Sequence, residues 1–129
     1  MDDVIRVAAM LLRDEAGRVL TVRKQGTERF MHPGGKPEPG ESYFATALRE
    51  CREELGVELD ASRVRPVGVF TAEAANEPGY TCEGTFFEYI EPLPIEPAAS
   101  AEIAEIRWVD PANLPPNIAP LATVVLAAI

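Results

Sequence analysis

Apolar positions along this chain fall into two rhythms. The runs "VIRVAAMLL" (4–12) and "RVLTVRK" (18–24) are bounded by turn residues and predict two strands joined at "RDEAG", where Gly17 supplies the turn. "VRPVGVFTAE" (64–73) and "YTCEGTFFEYI" (80–90) predict a long antiparallel pair turning at "NEPG", and "EIRWVD" (105–110) predicts a short strand that puts Trp108 in the core. Between residues 42 and 55 the rhythm changes. Phe44, Leu48, Cys51 and Leu55 recur at helical spacing, Ser42 is suited to cap the start, and Gly56 is suited to end it. "NIAPLATVVLAAI" (117–129) predicts a second helix with Pro120 in its first turn. Two proline-rich stretches, "FMHPGGKPEPGE" (30–41) and "EPLPIEP" (91–97), predict loops too short to separate domains, so residues 1–129 read as one mixed α and β domain.

The helix carries a conflict. Glu50, Glu53 and Glu54 stand at i, i+3 and i+4, within about 100° of one another around the axis, where like charges oppose helix formation. The apolar stripe lies roughly 140° from their mean direction, which predicts that the helix is pinned with its acids facing outward. A solvated charged face is the plain reading, with Arg49 and Arg52 softening the repulsion. Three features point further. A Gly-Gly loop precedes the helix, its other face is apolar, and Arg23, Lys24, Arg29 and Lys36 gather just ahead of it. Clustered carboxylates become favourable around a hard divalent cation, which takes oxygen ligands and shares its shell with phosphate.

Composition narrows the partners. A net charge of −9 excludes tracking a nucleic-acid polymer, which asks for a basic face. No apolar run approaches a membrane span, and "MDDVIRVAAMLLRDE" begins acidic with an interrupted apolar stretch, which predicts no leader. Cys51 and Cys82 form no metal or redox spacing, so free thiols in a cytoplasmic protein are expected. The apolar C-terminus fits either a monomer, with the helix on its own sheet, or a homodimer.

From Gly35 to Val57 the chain reads "GKPEPGESYFATALRECREELGV". This stretch resembles the Nudix box, matching at Gly35, Glu41, Arg49, Glu50, Glu53, Glu54, Gly56 and Val57, with Cys51 at an aliphatic position. The resemblance implies an α+β fold, the Nudix α/β/α sandwich around a mixed sheet. It implies a Mg²⁺-dependent hydrolase, Mn²⁺ being an alternative ion, that cleaves a nucleoside diphosphate linked to another moiety. It also implies that Glu50, Glu53 and Glu54 are metal ligands with the Gly35 carbonyl, while Glu41 and Arg49 pair to brace the loop. Glu53 or Glu50 would be the general base. A further metal-binding glutamate is implied ahead of Trp108, for which Glu102 has better spacing than Glu105. Arg23 resembles a phosphate-contacting position, its plain reading being a solvated strand end. Lys36 stands with it as a substrate-binding candidate. Phe30 is read as a base-stacking or core residue, and His32 as a strand-end residue lining the cleft.

The compact layout "RFMHPGGKPEPGES" looks most like MutT-type nucleoside triphosphate hydrolases, which implies a small nucleotide substrate giving the monophosphate and pyrophosphate. Asn117, or Asn113, would then read the base, unless either simply caps or turns the chain. The alternatives are a dinucleotide, nucleotide-sugar or coenzyme A hydrolase, and a nucleotide-binding Nudix module without catalysis.

Overall fold

The structure, a computed structural model, describes residues 3–129, so the acidic start read from Met1 and Asp2 lies outside it. Within it the chain runs β1 (Val4–Leu11), β2 (Val19–Lys24), β3 (Gly34–Gly35), α1 (Tyr43–Leu55), β4 (Val64–Glu73), β5 (Thr81–Tyr89), β6 (Ile103–Val109) and α2 (Pro120–Ala128). One sheet has the order β3-β1-β5-β4 and a second pairs β2 with β6. β1 runs parallel to β5, while its pairing with β3 and the β4–β5 pairing are antiparallel, so the larger sheet is mixed.

Alternation along the strands sends side chains to two cores. Met10, Leu12, Leu20, Val22 and Phe87 pack under α1 against Ala47, Cys51 and Leu55. Leu11, Val19, Phe30, Phe86 and Val109 pack under α2 against Ala122, Val125 and Leu126. The helices lie on opposite sides of the strands, as the α/β/α expectation requires. α2 buries Val125 and Leu126 and leaves Val124 exposed, as is Ile129 just past its end, so packing on its own sheet accounts for much of the apolar C-terminus. Trp108 is partly buried against the core beneath α1.

Five sequence expectations need correction. The strands on either side of "RDEAG" do turn there, with Gly17 at φ 83°, but they part into different sheets. The Arg13–Val19 bridge, the Leu20 N–H donated to the Leu12 carbonyl and the Asp14 N–H donated to the Arg18 carbonyl join them near the turn. Residues 30–41 are more than a loop. Phe30 bridges to Ile118, Met31 bridges to Val22, and Gly34–Gly35 form β3. Such short pairings leave no periodicity to detect. β6 begins at Ile103, two residues early, and α2 begins at Pro120, because Ala119 is still extended at ψ 151°. Finally, the carboxylates of α1 do not all face outward: Glu54 is 1% exposed. Cys51 and Glu54 are three residues apart, about 60° around the helix, so one edge of the acidic face meets the apolar stripe.

Candidate active site

α1 is fixed at both ends by local chemistry. The Ser42 hydroxyl accepts the Ala45 N–H at 3.1 Å. Gly56, left-handed at φ 69°, donates its N–H to the Arg52 carbonyl and ends the helix. Ahead of the helix, Glu41 accepts the Glu38 N–H at 3.0 Å, the Thr46 hydroxyl at 2.7 Å, and Arg49 through Nε at 2.8 Å and Nη2 at 2.9 Å. These donors, Arg49 foremost, hold the Glu41 carboxyl down at about 2. The two-pronged contact is the strong form of the carboxylate–guanidinium bond. It ties the loop to the helix, and Arg49 Nη2 adds a 3.3 Å bond to the Lys36 carbonyl.

Arg49 also answers the repulsion on α1. Its Nη1 donates to Glu50 at 2.8 Å and to Glu53 at 2.6 Å, so one guanidinium spans the adjacent and i+4 acids. Glu53 is nevertheless peripheral, with 46% of its side chain exposed. Glu50 and Glu54 turn toward the loop. An added Cβ on Gly35 would lie 2.6 Å from Glu50 Oε2, so the glycine is what lets this carboxylate approach the backbone. Glu54 Oε1 accepts the Gly34 N–H at 3.0 Å, while its buried Oε2 has no partner.

A third acid arrives from the other side. The N–H groups of Ala98 and Ser100 donate to the carbonyls of Leu55 and Glu54 at 3.1 and 3.0 Å, drawing this segment onto the end of α1. After Ala101, left-handed at φ 54°, the chain presents Glu102. Glu50, Glu54 and Glu102 each offer an oxygen within 4.8 Å of the other two. Burial, joined by the Glu50 charge, raises the Glu54 carboxyl to about 8, and burial also raises that of Glu50. A buried oxygen without a donor, in a trio of hard oxygen ligands, fits a divalent cation.

Glu50 and Glu102 open onto a cavity of about 360 Å³. Gly35, Lys36, Lys24, Glu50 and Glu102 form its polar end, Ile5, Val7, Met31 and Leu121 supply apolar wall, and the turn from Glu73 to Glu77 closes another side. Lys24 is a member that sequence reasoning passed over among the basic residues, and its Nζ lies 3.4 Å from Glu102 Oε1. The available signal was parity, since Lys24 follows Leu20 and Val22 on one face of β2.

Other candidates stand elsewhere. Arg23 points away from the cavity, donating to the Thr27 carbonyl at 2.9 Å and to Glu105 at 3.2 Å. It shares a separate depression of about 370 Å³ with Phe30, Arg107 and Asn117. Phe30 is 2% exposed, with the Arg107 guanidinium 4.4 Å from its ring centre, so it is core rather than a face open to a base. The Asn117 carbonyl accepts the Phe30 N–H at 2.7 Å, and Asn113 closes a turn on the Asp110 carbonyl. His32 does not line the cleft. It is buried edge-on to Phe86 with neither ring nitrogen bonded, and burial lowers its pKa to about 3.

A sequence model of the NUDIX domain matches residues 3–128. The isopentenyl-diphosphate Delta-isomerase of Nocardia farcinica is 32% identical over 126 residues, covering 88% of this chain and 68% of that protein. A Bacillus subtilis protein named "Putative 8-oxo-dGTP diphosphatase" is 29% identical over 108 residues, covering 84% and 68%. The crystal structure of a MutT NUDIX hydrolase from Burkholderia pseudomallei superimposes with a TM-score of 0.81 over 98% of both chains at 19% identity, a likeness of fold.

Proposed function

We propose, for a chain that belongs to the Nudix family and is a pyrophosphohydrolase of nucleotide-linked substrates, that the substrate is a nucleoside triphosphate and the products are the monophosphate and pyrophosphate. The observation that carries this reading is the trio Glu50, Glu54 and Glu102, two of which, Glu50 and Glu102, line a cavity whose polar end also holds Lys24 and Lys36. At about 360 Å³ the cavity is near the small end of ligand sites, which favours one nucleoside over two.

Glu50, Glu54 and Glu102 would hold Mg²⁺ or Mn²⁺ together with the Gly35 carbonyl, and Glu53 would join only after leaving Arg49. The bound ion supplies charge neutralisation on the phosphate chain and lowers the pKa of water. Lys24 and Lys36 add positive charge where the chain of phosphates enters. Water adds to one phosphorus as the bridging oxygen departs with pyrophosphate, and a carboxylate takes the proton released. Glu50 is better placed than Glu53 for that task, because it lines the cavity and Glu53 does not. Arg49 and Glu41 hold the loop and helix in register throughout.

The test is turnover of a panel with Mg²⁺, with Mn²⁺ and with EDTA, following pyrophosphate and phosphate separately. The panel contains the four dNTPs, 8-oxo-dGTP, ADP-ribose, a dinucleoside tetraphosphate, coenzyme A and isopentenyl diphosphate. Metal-dependent release of pyrophosphate from one or more triphosphates is expected. Turnover confined to a dinucleotide or coenzyme A would replace the substrate, and conversion of isopentenyl diphosphate would replace the reaction.

A further inference from the structure

The strand β2 sends Leu20, Val22 and Lys24 to one face. The first two sink into the core beneath α1, and Lys24 emerges where that core gives way to the carboxylates. Its pairing with β6 is irregular at this point: Arg23 stands opposite Glu105 but Lys24 opposite Ile103, leaving Ala104 over. Such a bulge re-aims side chains and is common beside active sites. Here it brings Glu102 alongside the end of β2, with the Glu102 carbonyl accepting the Gln25 N–H at 2.8 Å. Lys24 Nζ consequently sits 3.4 Å from the Glu102 carboxylate.

Arg49 and Lys24 are held differently. Arg49 is fixed by bonds to Glu41, Glu50, Glu53 and the Lys36 carbonyl. Lys24 has one side-chain partner among the described residues, on a flexible stem whose side chain is 32% exposed. A divalent ion that takes the Glu102 oxygen facing Lys24 competes with the ammonium group 3.4 Å away, because two positive charges repel at close range. The ammonium so released lies on the cavity wall, beside the place where the phosphate chain would lie.

We propose that Lys24 is the resident counterion of Glu102, that it yields this carboxylate to the divalent ion, and that it then binds an oxygen of the substrate's phosphate chain. The proposal rests on the functional reading above and adds the exchange of partners. It gives one residue opposite effects on two ligands: removing its charge helps the metal and harms the phosphate.

The experiment uses Lys24→Met, which keeps the apolar stem, and Lys24→Arg, which keeps the charge. Mn²⁺ affinity without substrate is read from the electron paramagnetic resonance of free Mn²⁺. Binding of inorganic pyrophosphate to the Mn²⁺-loaded protein is read by calorimetry. In Lys24→Met we expect Mn²⁺ to bind about threefold to tenfold tighter and pyrophosphate about tenfold weaker. Lys24→Arg should stay near wild type for pyrophosphate. Unchanged or weaker Mn²⁺ binding in Lys24→Met would overturn the counterion, and unchanged pyrophosphate binding would overturn the transfer. Neither measurement depends on turnover, so a wild-type protein inert toward every triphosphate would sink the functional reading while leaving the exchange to be decided here.

Discussion

Glu54 places a carboxyl in the fold where it holds its proton at neutral pH, and replacing it tests that placement directly. Its pKa stands at about 8, raised first by burial and then by the Glu50 charge, against an ordinary value of 4.5. Below pH 4.5 the folded and unfolded chains both carry the proton. Between 4.5 and 8 the unfolded chain releases it and the fold does not, so metal-free stability falls as pH rises, by about 1.4 kcal/mol per pH unit. Above 8 both states are ionised and the slope ends. At pH 7 the accumulated cost is about 3 kcal/mol. Glu54→Gln keeps an oxygen for the Gly34 N–H and offers its amide to the neighbouring carboxylates, yet cannot ionise. With EDTA present, the variant should exceed wild type by about 2–3 kcal/mol at pH 7, and the gap should close toward pH 5. Urea unfolding at pH 5, 7 and 8.5 reads this. Millimolar Mn²⁺ should then raise the stability of wild type through linkage and leave the variant nearly unmoved. A variant less stable than wild type at pH 7 without metal would refute the placement of this charge.

The two adjacent glycines should fail in different ways. A Cβ on Gly34 would collide with the Ala8 carbonyl oxygen and approach Ala9 Cα to 2.8 Å, so Gly34→Ala should cost about 2–3 kcal/mol in urea unfolding. Gly35→Ala meets the Glu50 carboxylate instead, so it should unfold near wild type while Mn²⁺ affinity drops about tenfold or more. For His32, whose pKa of about 3 lies below its ordinary 6.5, the unfolded state takes up a proton first. Its contribution is therefore lost as pH falls below 6.5. The stability of wild type relative to His32→Phe should decline by about 2 kcal/mol between pH 7 and 5, and a constant difference would exclude a buried neutral imidazole. Arg49→Lys retains a charge but not the fork that holds Glu41, Glu50 and Glu53 together. We expect a loss of about 1–3 kcal/mol, and the Glu41 carboxyl, followed by NMR, should titrate nearer 4.5 than 2.

What could be read in advance was whatever depends on local spacing. The cap at Ser42, the stop at Gly56 and the i, i+4 placement of Glu50 and Glu54 follow from one helix and its period. The strand pairings did not yield to the same treatment, because they are chosen by distant residues. β1 turns sharply into β2 yet takes β3 and β5 as partners, and no residue near "RDEAG" records this. The choice between Arg23 and Lys24 has the same character. Parity placed them on opposite faces of β2, but which face meets the carboxylates depends on β6 and on the bulge at Ala104. Phe30 and His32 were open to a ligand only while the chains that cover them, around Ile118 and Phe86, were unknown.

The burial of Glu54 also revises the reason for crowding acids on α1. Outward-facing carboxylates would repel one another mildly in water, at a few tenths of a kcal/mol per pair. A carboxyl at the boundary of the core is costlier, because one oxygen has the Gly34 N–H and the other has nothing. No cation of the protein touches that second oxygen among the described residues. Arg49 serves Glu41, Glu50 and Glu53, and Lys24 serves Glu102. The fold thus compensates the acids around Glu54 with its own basic side chains, while the second Glu54 oxygen has no protein donor among the described residues and suits a proton or an external cation. The proton serves the free protein, and on the proposed reading, with a pKa of about 8, it gives way to a divalent ion at neutral pH. On the function proposed above, helix repulsion and a buried unsatisfied oxygen, two faults by the standards of stability, together make the binding site.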